Sequence, residues 1–588
     1  MTWSTASYAL LLLFNLTLCS AVFVENVSQL NGLKFDFIVV GGGTAGNVIA
    51  NRLTENPSVS VLVLEAGGSN ADVLNIIVPF FNVKATPNTA QDWNFTTTPQ
   101  VGLGNRAIAY PRGFVLGGSS SVNSMAYTRG SKDDYDRWAK VAGDSGWSWD
   151  NVIPYIRRNE RFTPPPAANT TQTYDPAAHS LTGINSVRLP TFGRATDALV
   201  LNAAASLGQL NKDMNSGTPL GFGWIQQTVK NGSRSSSATS YLAPQFIGRP
   251  NLHVMLNTRV TRILKNGSGA LQTVEFAQKA GGARFQITAS KEVILSAGSI
   301  GTPSILLHSG IGDATELSQL GIPLVHNLPS VGKNLTDHPI VRVSWFVNSN
   351  TTFDDAERNA TVAAEVFAQW NTTRTGLLSD STSSQIGWLR LPESSPILRG
   401  VTDPSSGPLS PHIELIFADG ISVSPPPTGH YLTISAAVVS PTSRGSLALN
   451  STDPFAQPVI NPNLLGSPVD VAIQRAAIRS AQNFIKAPAW AGYILAPFSL
   501  NDTASDEEVD AFSQTHASTL DHPVGTAAMS ARGADYGVVD PDLIVKGLRG
   551  LRIVDASVFP FIPAAHTQAA TYIVAERGAD LIKASFGI

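Results

Sequence analysis

The chain has 588 residues, 43% of them hydrophobic and only 14% charged, against roughly 25% charged in ordinary soluble proteins. A net charge of −3 and a pI near 6.4 leave no basic footprint for nucleic acid. Length and apolar content suffice for large cores and several domains, while surface polarity falls largely to Ser, Thr and Asn.

In chain order, residues 8–18 form an apolar run too short to span a bilayer, followed by the small residues Ser20 and Ala21. No basic residue precedes the run, yet its length and the small residues after it predict a signal peptide over 1–21 and a secreted, extracellular protein with no membrane anchor. The only cysteine, Cys19, lies inside that segment, so the mature chain relies on core size rather than disulfides. Asn-x-Ser/Thr sequons at Asn26, Asn94, Asn169, Asn231, Asn266, Asn334, Asn350, Asn359, Asn371, Asn450 and Asn501 fit a glycoprotein in that compartment.

The chain is organised around residues 36–65. A short β-branched run at 37–40 reads as a buried parallel strand and ends on Gly41, which with Gly43 and Gly46 makes a G-x-G-x-x-G. A helix pattern follows through Ala45, Val48, Ile49 and Leu53, and a second strand at 59–64 closes on Glu65. Gly41 permits the tight turn, Gly43 the approach of a pyrophosphate, and Gly46 close packing of helix on strand. The helix N-terminus offers unpaired N–H groups to phosphates, and Glu65 is placed to accept from a ribose. An ordinary βαβ turn is the bland alternative. Strand, loop, helix, strand and acid in order within about 30 residues point instead to an ADP-containing dinucleotide. Spacing alone does not choose FAD over NAD.

Residues 67–100 are irregular and carry Trp93 and Phe95. Gly117-Gly118 followed by three serines offers flexible backbone and hydroxyls suited to a phosphate or a flat ring edge. The pattern predicts a helix over 150–162, an excursion with three prolines at 163–177, a strand pair within 252–264, a buried strand at 293–298 and a helix at 302–309. Between 340 and 520 the texture changes to alternating segments such as 431–439, as in half-buried antiparallel strands, separated by Pro/Ser-rich loops. A buried strand at 551–559 and an amphipathic helix at 569–583 close the chain, which has no internal repeat.

Four separated blocks carry a resemblance: the dinucleotide loop, residues 116–123 (LGGSSSVN), residues 298–312 (GSIGTPSILLHSGIG), and His522 with His566. Residues 331–338 (VGKNLTDH) add a familiar segment. From about residue 35 to its end the chain resembles the glucose–methanol–choline flavin oxidoreductases. Phe114, after Gly113, departs from the polar or basic residue usual there in the family. Within the family, residues 92–100 and 521–526 are most similar to fungal aryl-alcohol oxidases and pyranose dehydrogenases.

The resemblance implies an α/β fold with a doubly wound FAD-binding domain (34–155, 231–338 and 531–588) interleaved with a substrate domain on an antiparallel sheet (156–230 and 339–530). It implies FAD, with Gly41, Gly43, Thr44, Ala45 and Gly46 at the pyrophosphate and Glu65 at the adenosine ribose. Gly118, Ser119 and Asn123 would lie near the flavin ring, Val260 would meet the adenine through its backbone, and Asp555 and Ala556 would contact the ribityl–pyrophosphate region. For Val260 and Ala556, simple core packing is an equal alternative. Val122 stands where family members that attach FAD covalently carry histidine, so the flavin is expected to be non-covalent. His522 matches the family's base and His566 its orienting partner. A neutral imidazole suits the proton that an alcohol must lose as its hydride departs.

The implied substrate is a small-molecule alcohol, with oxygen or a quinone taking the electrons. Phe95 and Phe417 would be aromatic walls of an aryl-alcohol pocket, while Asp521, just before His522, would favour a sugar or another polar alcohol. The aryl reading is preferred at this level. A nicotinamide dehydrogenase shares the first motif. A serine hydrolase is disfavoured because no Gly-x-Ser-x-Gly occurs, and metal catalysis because the histidines lack H-x-x-x-H spacing. A fold retained with a dead site is opposed by the presence of both histidines in intact motifs.

Overall fold

A computed structural model describes residues 23–166 and 173–588; the expected signal peptide and the sequon at Asn169 lie outside them. Two sheets carry the architecture. In the first, Phe23–Val24, Leu252–Met255, Val61–Leu64, Phe35–Val40 and the second half of Phe285–Leu295 run parallel, and Leu551–Ile553 joins the last of these. The side chains of the paired segments Val61–Leu64 and Phe37–Val40 are at most 2% exposed, as expected where helices cover both faces of a parallel sheet. Phe285–Leu295 changes character along its length. Its first residues pair antiparallel with Thr273–Ala277, which in turn pairs with Arg259–Leu264.

The second sheet is antiparallel, in the order Ile494–Pro497, Pro339–Val347, Tyr431–Val438, Ile413–Ala418, Ser383–Leu389, Gly221–Trp224, with Ser518–Thr519 on the start of Pro339–Val347. Side chains alternate between its faces. Val341, Val343, Trp345, Leu415, Phe417, Leu432 and Ile434 pack on the helix Pro468–Phe484. On the other face Ile340, Ile386, Trp388 and Ala437 pack with Ala126 and Ala564 of segments adjoining the first sheet. The candidate site lies on this second face.

Several elements differ from the sequence expectation. The helix read at 150–162 is Trp149–Asn159, and Glu160–Thr163 is already a strand. The strands within 252–264 do not pair with each other; one joins the parallel sheet and the other Thr273–Ala277. The helix read at 302–309 starts earlier, at Gly298, and only Leu551–Ile553 of 551–559 is strand. The last helix, Thr567–Phe586, is not one-sided. From Gln568 to Ala579 every residue is buried, with Glu576 held by Arg52 and Arg158 and Arg577 held by Asp144. Among the described residues no helix is long and apolar enough to cross a membrane, and no group of three or more His, Cys, Asp or Glu could hold a metal ion.

Candidate active site

The dinucleotide loop meets the steric demands of its motif. A Cβ on Gly41 (φ +102°) would lie 2.5 Å from the Ser296 carbonyl oxygen, and one on Gly46 would lie 1.9 Å from that of Gly41. At Gly43 the nearest atom would be 3.8 Å away, the Cα of Gly118. Two glycines are therefore fixed by packing, and the middle one keeps an open face towards the N-terminus of Gly46–Leu53, beside Thr44 and Ala45. That is the cradle a pyrophosphate needs. Glu65, 5% exposed, accepts from the backbone N–H groups of Gly42 and Gly67, both at 2.7 Å. Burial pushes its carboxyl up to about 7 against those donors, and each oxygen keeps a lone pair for a ribose hydroxyl.

Gly117 and Gly118 take positive φ (+92° and +53°) to turn the next segment against Gly43. Ser119 Oγ accepts from Gly113 N–H at 3.2 Å. Asn123 donates to Gln568 and accepts from Arg234 Nη1 at 2.8 Å, which ties this turn to the start of the last helix. Asp555 accepts from Gly298 N–H (2.9 Å), Thr302 Oγ1 (2.6 Å) and Ser557 N–H (2.8 Å), so protein donors occupy both its oxygens. Burial raises its pKa against them. Ala556 packs on the main core, and Val260 is buried there where its strand's pairing shifts register before Arg262. The residues at the loop, at Glu65 and at 117–123 fit a dinucleotide, whereas Asp555 holds the N-terminus of Gly298–His308.

His522 and His566 come together, with ring centroids 4.8 Å apart and planes at 79°. Each has a further buried partner that the sequence analysis does not assign. His522 Nδ1 lies 3.0 Å from Nδ1 of His338, and His566 Nε2 lies 2.7 Å from Oε1 of the wholly buried Glu414. Asp337 sets the backbone, accepting from the N–H groups of His338 (2.8 Å) and His522 (2.9 Å) and from Thr519 Oγ1 (2.6 Å). Burial holds His522 well below the ordinary imidazole range, helped by His566, His338 and Arg112. Burial, with His566 nearby, takes His338 down to about 3. Both rings are therefore neutral near pH 7, and His522 can accept a proton.

Asp521 has left-handed backbone (φ +65°), and its carbonyl accepts from Arg112 Nη2 at 2.6 Å. Nearly half of its side chain (48%) is accessible although protein surrounds it, so its carboxylate lines a recess beside His522. That surround pushes the carboxyl up to about 7, with Asp337 and Asp92 adding to the rise and Arg112 and Arg342 opposing it. Water reaching the recess tempers the shift.

One of the two expected aromatic walls, Phe417, is corrected. Phe417 lies on the far face of the sheet, 2% exposed, against Phe222 and Phe484. Its neighbour Ile416 takes the site-facing position, because consecutive strand residues point to opposite faces. Phe95 is 6% exposed and stacks on Trp93, centroids 5.5 Å apart.

His338 ends the segment 331–338 that carries part of the resemblance, but its pairing with His522 spans 184 residues. Glu414 had a signal, a carboxylate between Ile413 and Leu415 in an apolar strand.

GMC oxidoreductase sequence profiles match residues 35–340 and 441–575. Dehydrogenase eriK of Hericium erinaceus is 43% identical, over 96% of this chain and 97% of its own. A pyranose dehydrogenase of Agaricus campestris is 41% identical, over 96% of each. A formate oxidase variant of Aspergillus oryzae RIB40, from a study of FAD modification, superposes with a TM-score of 0.88 at 31% identity, over 95% of this chain and 99% of that one.

Proposed function

This chain belongs to the GMC oxidoreductase family and binds FAD, and from that footing we propose that it is a secreted dehydrogenase or oxidase of polar, ring-bearing alcohols such as sugars. FAD, when bound, supplies the hydride acceptor. The chain's own residues handle the proton and the orientation. His522, buried and neutral, takes the hydroxyl proton as the C–H bond breaks. His566, fixed by Glu414, holds the alcohol oxygen. Their neighbours Ile340, Trp388 and Ala564 keep water from the reacting carbon. Electrons pass on to oxygen or a quinone.

The observation that carries the polar reading is the accessible Asp521 carboxylate beside His522, where an aryl pocket would have an apolar wall. Phe417, expected as such a wall, is turned into the opposite core. The stack of Trp93, Phe95 and Phe114 favours a second reading, an aryl alcohol. Secretion is supported by the apolar leader and by the exposure of Asn26, Asn94, Asn231, Asn350, Asn359, Asn371, Asn450 and Asn501. Anaerobic flavin reduction by glucose and by 4-methoxybenzyl alcohol, followed by reoxidation with oxygen and with benzoquinone, tests the reading. The sugar is expected to lead. A tenfold lead in kcat/KM for the benzylic alcohol, about 1.4 kcal/mol of transition-state discrimination, overturns it.

A further inference from the structure

Arg342 stands at the middle of Pro339–Val347, on the sheet face that carries the site. The register makes this placement explicit. One row across the sheet runs Ile340, Ala437, Glu414, Trp388, and Glu414 holds His566. The adjoining row on the same face runs Arg342, Ser435, Ile416, Ile386. Rows on one face are two residues apart, roughly 7 Å. Arg342 is thus one row along and two strands across from Glu414, whose carboxylate holds His566, and four residues along the chain from His338.

A guanidinium inside an apolar sheet face ordinarily has a carboxylate partner. Among the described residues the Arg342 side chain makes no hydrogen bond and no ion pair, and it is exposed although protein surrounds it closely enough to lower its pKa. An accessible group within an enclosure lines a recess, as Asp521 does. Asp521 is the one carboxylate whose charge reaches it, without approaching to ion-pair distance. Arg112 faces the same recess, with its backbone N–H on Asp92 and Nη2 on the Asp521 carbonyl. Asp337 and Asp92 also act on Asp521, but neither pairs with Arg342, which keeps its planar fork of donors free. That fork matches a carboxylate in bidentate geometry. Ser435 adds a hydroxyl next to it in the same row.

We infer that Arg342 forms an anion subsite, so that the preferred substrates are alcohols bearing a carboxylate across a six-membered ring from the oxidised CH–OH, acidic sugars in the first instance. This rests on the polar-alcohol reading above for the reaction, but not for the binding.

Two measurements separate them. The first uses ligands without a hydroxyl, cyclohexanecarboxylate and cyclohexanecarboxamide, titrated against the FAD-loaded enzyme and read as perturbation of flavin absorbance. The carboxylate is expected to bind at least tenfold tighter, with the preference lost in Arg342→Gln and largely kept in Arg342→Lys. Equal affinities, or a preference that survives Arg342→Gln, overturn the subsite. The second compares kcat/KM for glucuronate with glucose and for galacturonate with galactose. The acids are expected to lead by tenfold or more, and Arg342→Gln to shrink that ratio to near unity. Neutral sugars turning over as well as their acids overturns the preference while leaving the sugar reading intact. Arg342-dependent carboxylate binding without turnover of any sugar supports the subsite and removes the sugar reading.

Discussion

His338 and His522 meet through their Nδ1 atoms, 3.0 Å apart, with ring planes at 84°. Two neutral imidazoles share such a contact only if one donates. If His522 Nδ1 is the donor and His338 Nδ1 the acceptor, the Nε2 lone pair of His522 is left for the substrate, and that is the tautomer a base at this position requires.

Replacing His338 by Ala is expected to lower the rate of flavin reduction about tenfold or more, with a smaller change in KM, because the tautomer is no longer fixed. The pH profile separates this from a loss of packing. In the wild type, burial and the His566, His338 and Arg112 neighbours keep His522 unprotonated well below pH 6.5, so the acid limb of the rate lies far below that value. Admitting water in His338→Ala moves the limb upward. A wild-type limb near pH 6.5, or the same limb in both proteins, contradicts the assignment.

His522→Ala is expected to cost about 10²-fold or more in flavin reduction, in line with loss of a positioned base. FAD content is expected to stay near that of the wild type, since the cradle at Gly41, Gly43, Gly46 and Glu65 lies elsewhere. Near-normal reduction in His522→Ala, together with a dead His566→Ala, would reverse the two roles.

The dinucleotide cradle was legible because its demands are local. Gly41 and Gly46 are set by contacts with the neighbouring turn, strand and helix, and one glance at their spacing carries that information. The partners of His522 and His566 were not, because His338 and Glu414 lie 184 and 152 residues from the side chains they touch. Phe417 failed by a single residue of strand phase, which decides the face and which an irregular apolar run such as 413–418 does not reveal. The last helix is not the amphipathic one expected, because its charged residues Glu576 and Arg577 are buried in pairs with Arg52, Arg158 and Asp144.

Val122 bears on the attachment of FAD. Its side chain is 7% exposed and packs with Ile76, Ala85 and Val115, and valine has no nucleophilic atom to form a bond to the flavin. Acid precipitation is expected to release the yellow colour into the supernatant. Colour retained in the washed pellet would contradict non-covalent binding.

His179 lies between two carboxylates, with Nδ1 3.0 Å from Glu160 and Nε2 2.7 Å from Asp213, and Arg129 bridges to Glu160 at 2.6 Å. All four side chains are at most 2% exposed, so the cluster has one arginine for two carboxylates and needs His179 charged. Burial works against that charge, but the hydrogen bonds that His179 donates to Asp213 and Glu160 outweigh it and raise the pKa. A group whose pKa is higher folded than unfolded stabilises fully below its unfolded value, near 6.5, and loses that contribution as pH climbs through the folded value. The carboxylates act in the opposite sense: Glu160 and Asp213 are depressed, so their contribution appears above about pH 4.5 and is lost towards more acidic pH. The cluster is therefore most stabilising between roughly pH 4.5 and 6.5. His179→Gln, which leaves a buried carboxylate uncompensated, is expected to cost on the order of 3 kcal/mol at pH 5.5 and clearly less at pH 8.5. Melting temperatures of both proteins across that range are the test. The gap between wild type and variant should narrow as pH rises, and two parallel curves would mean that His179 is not charged in the folded protein.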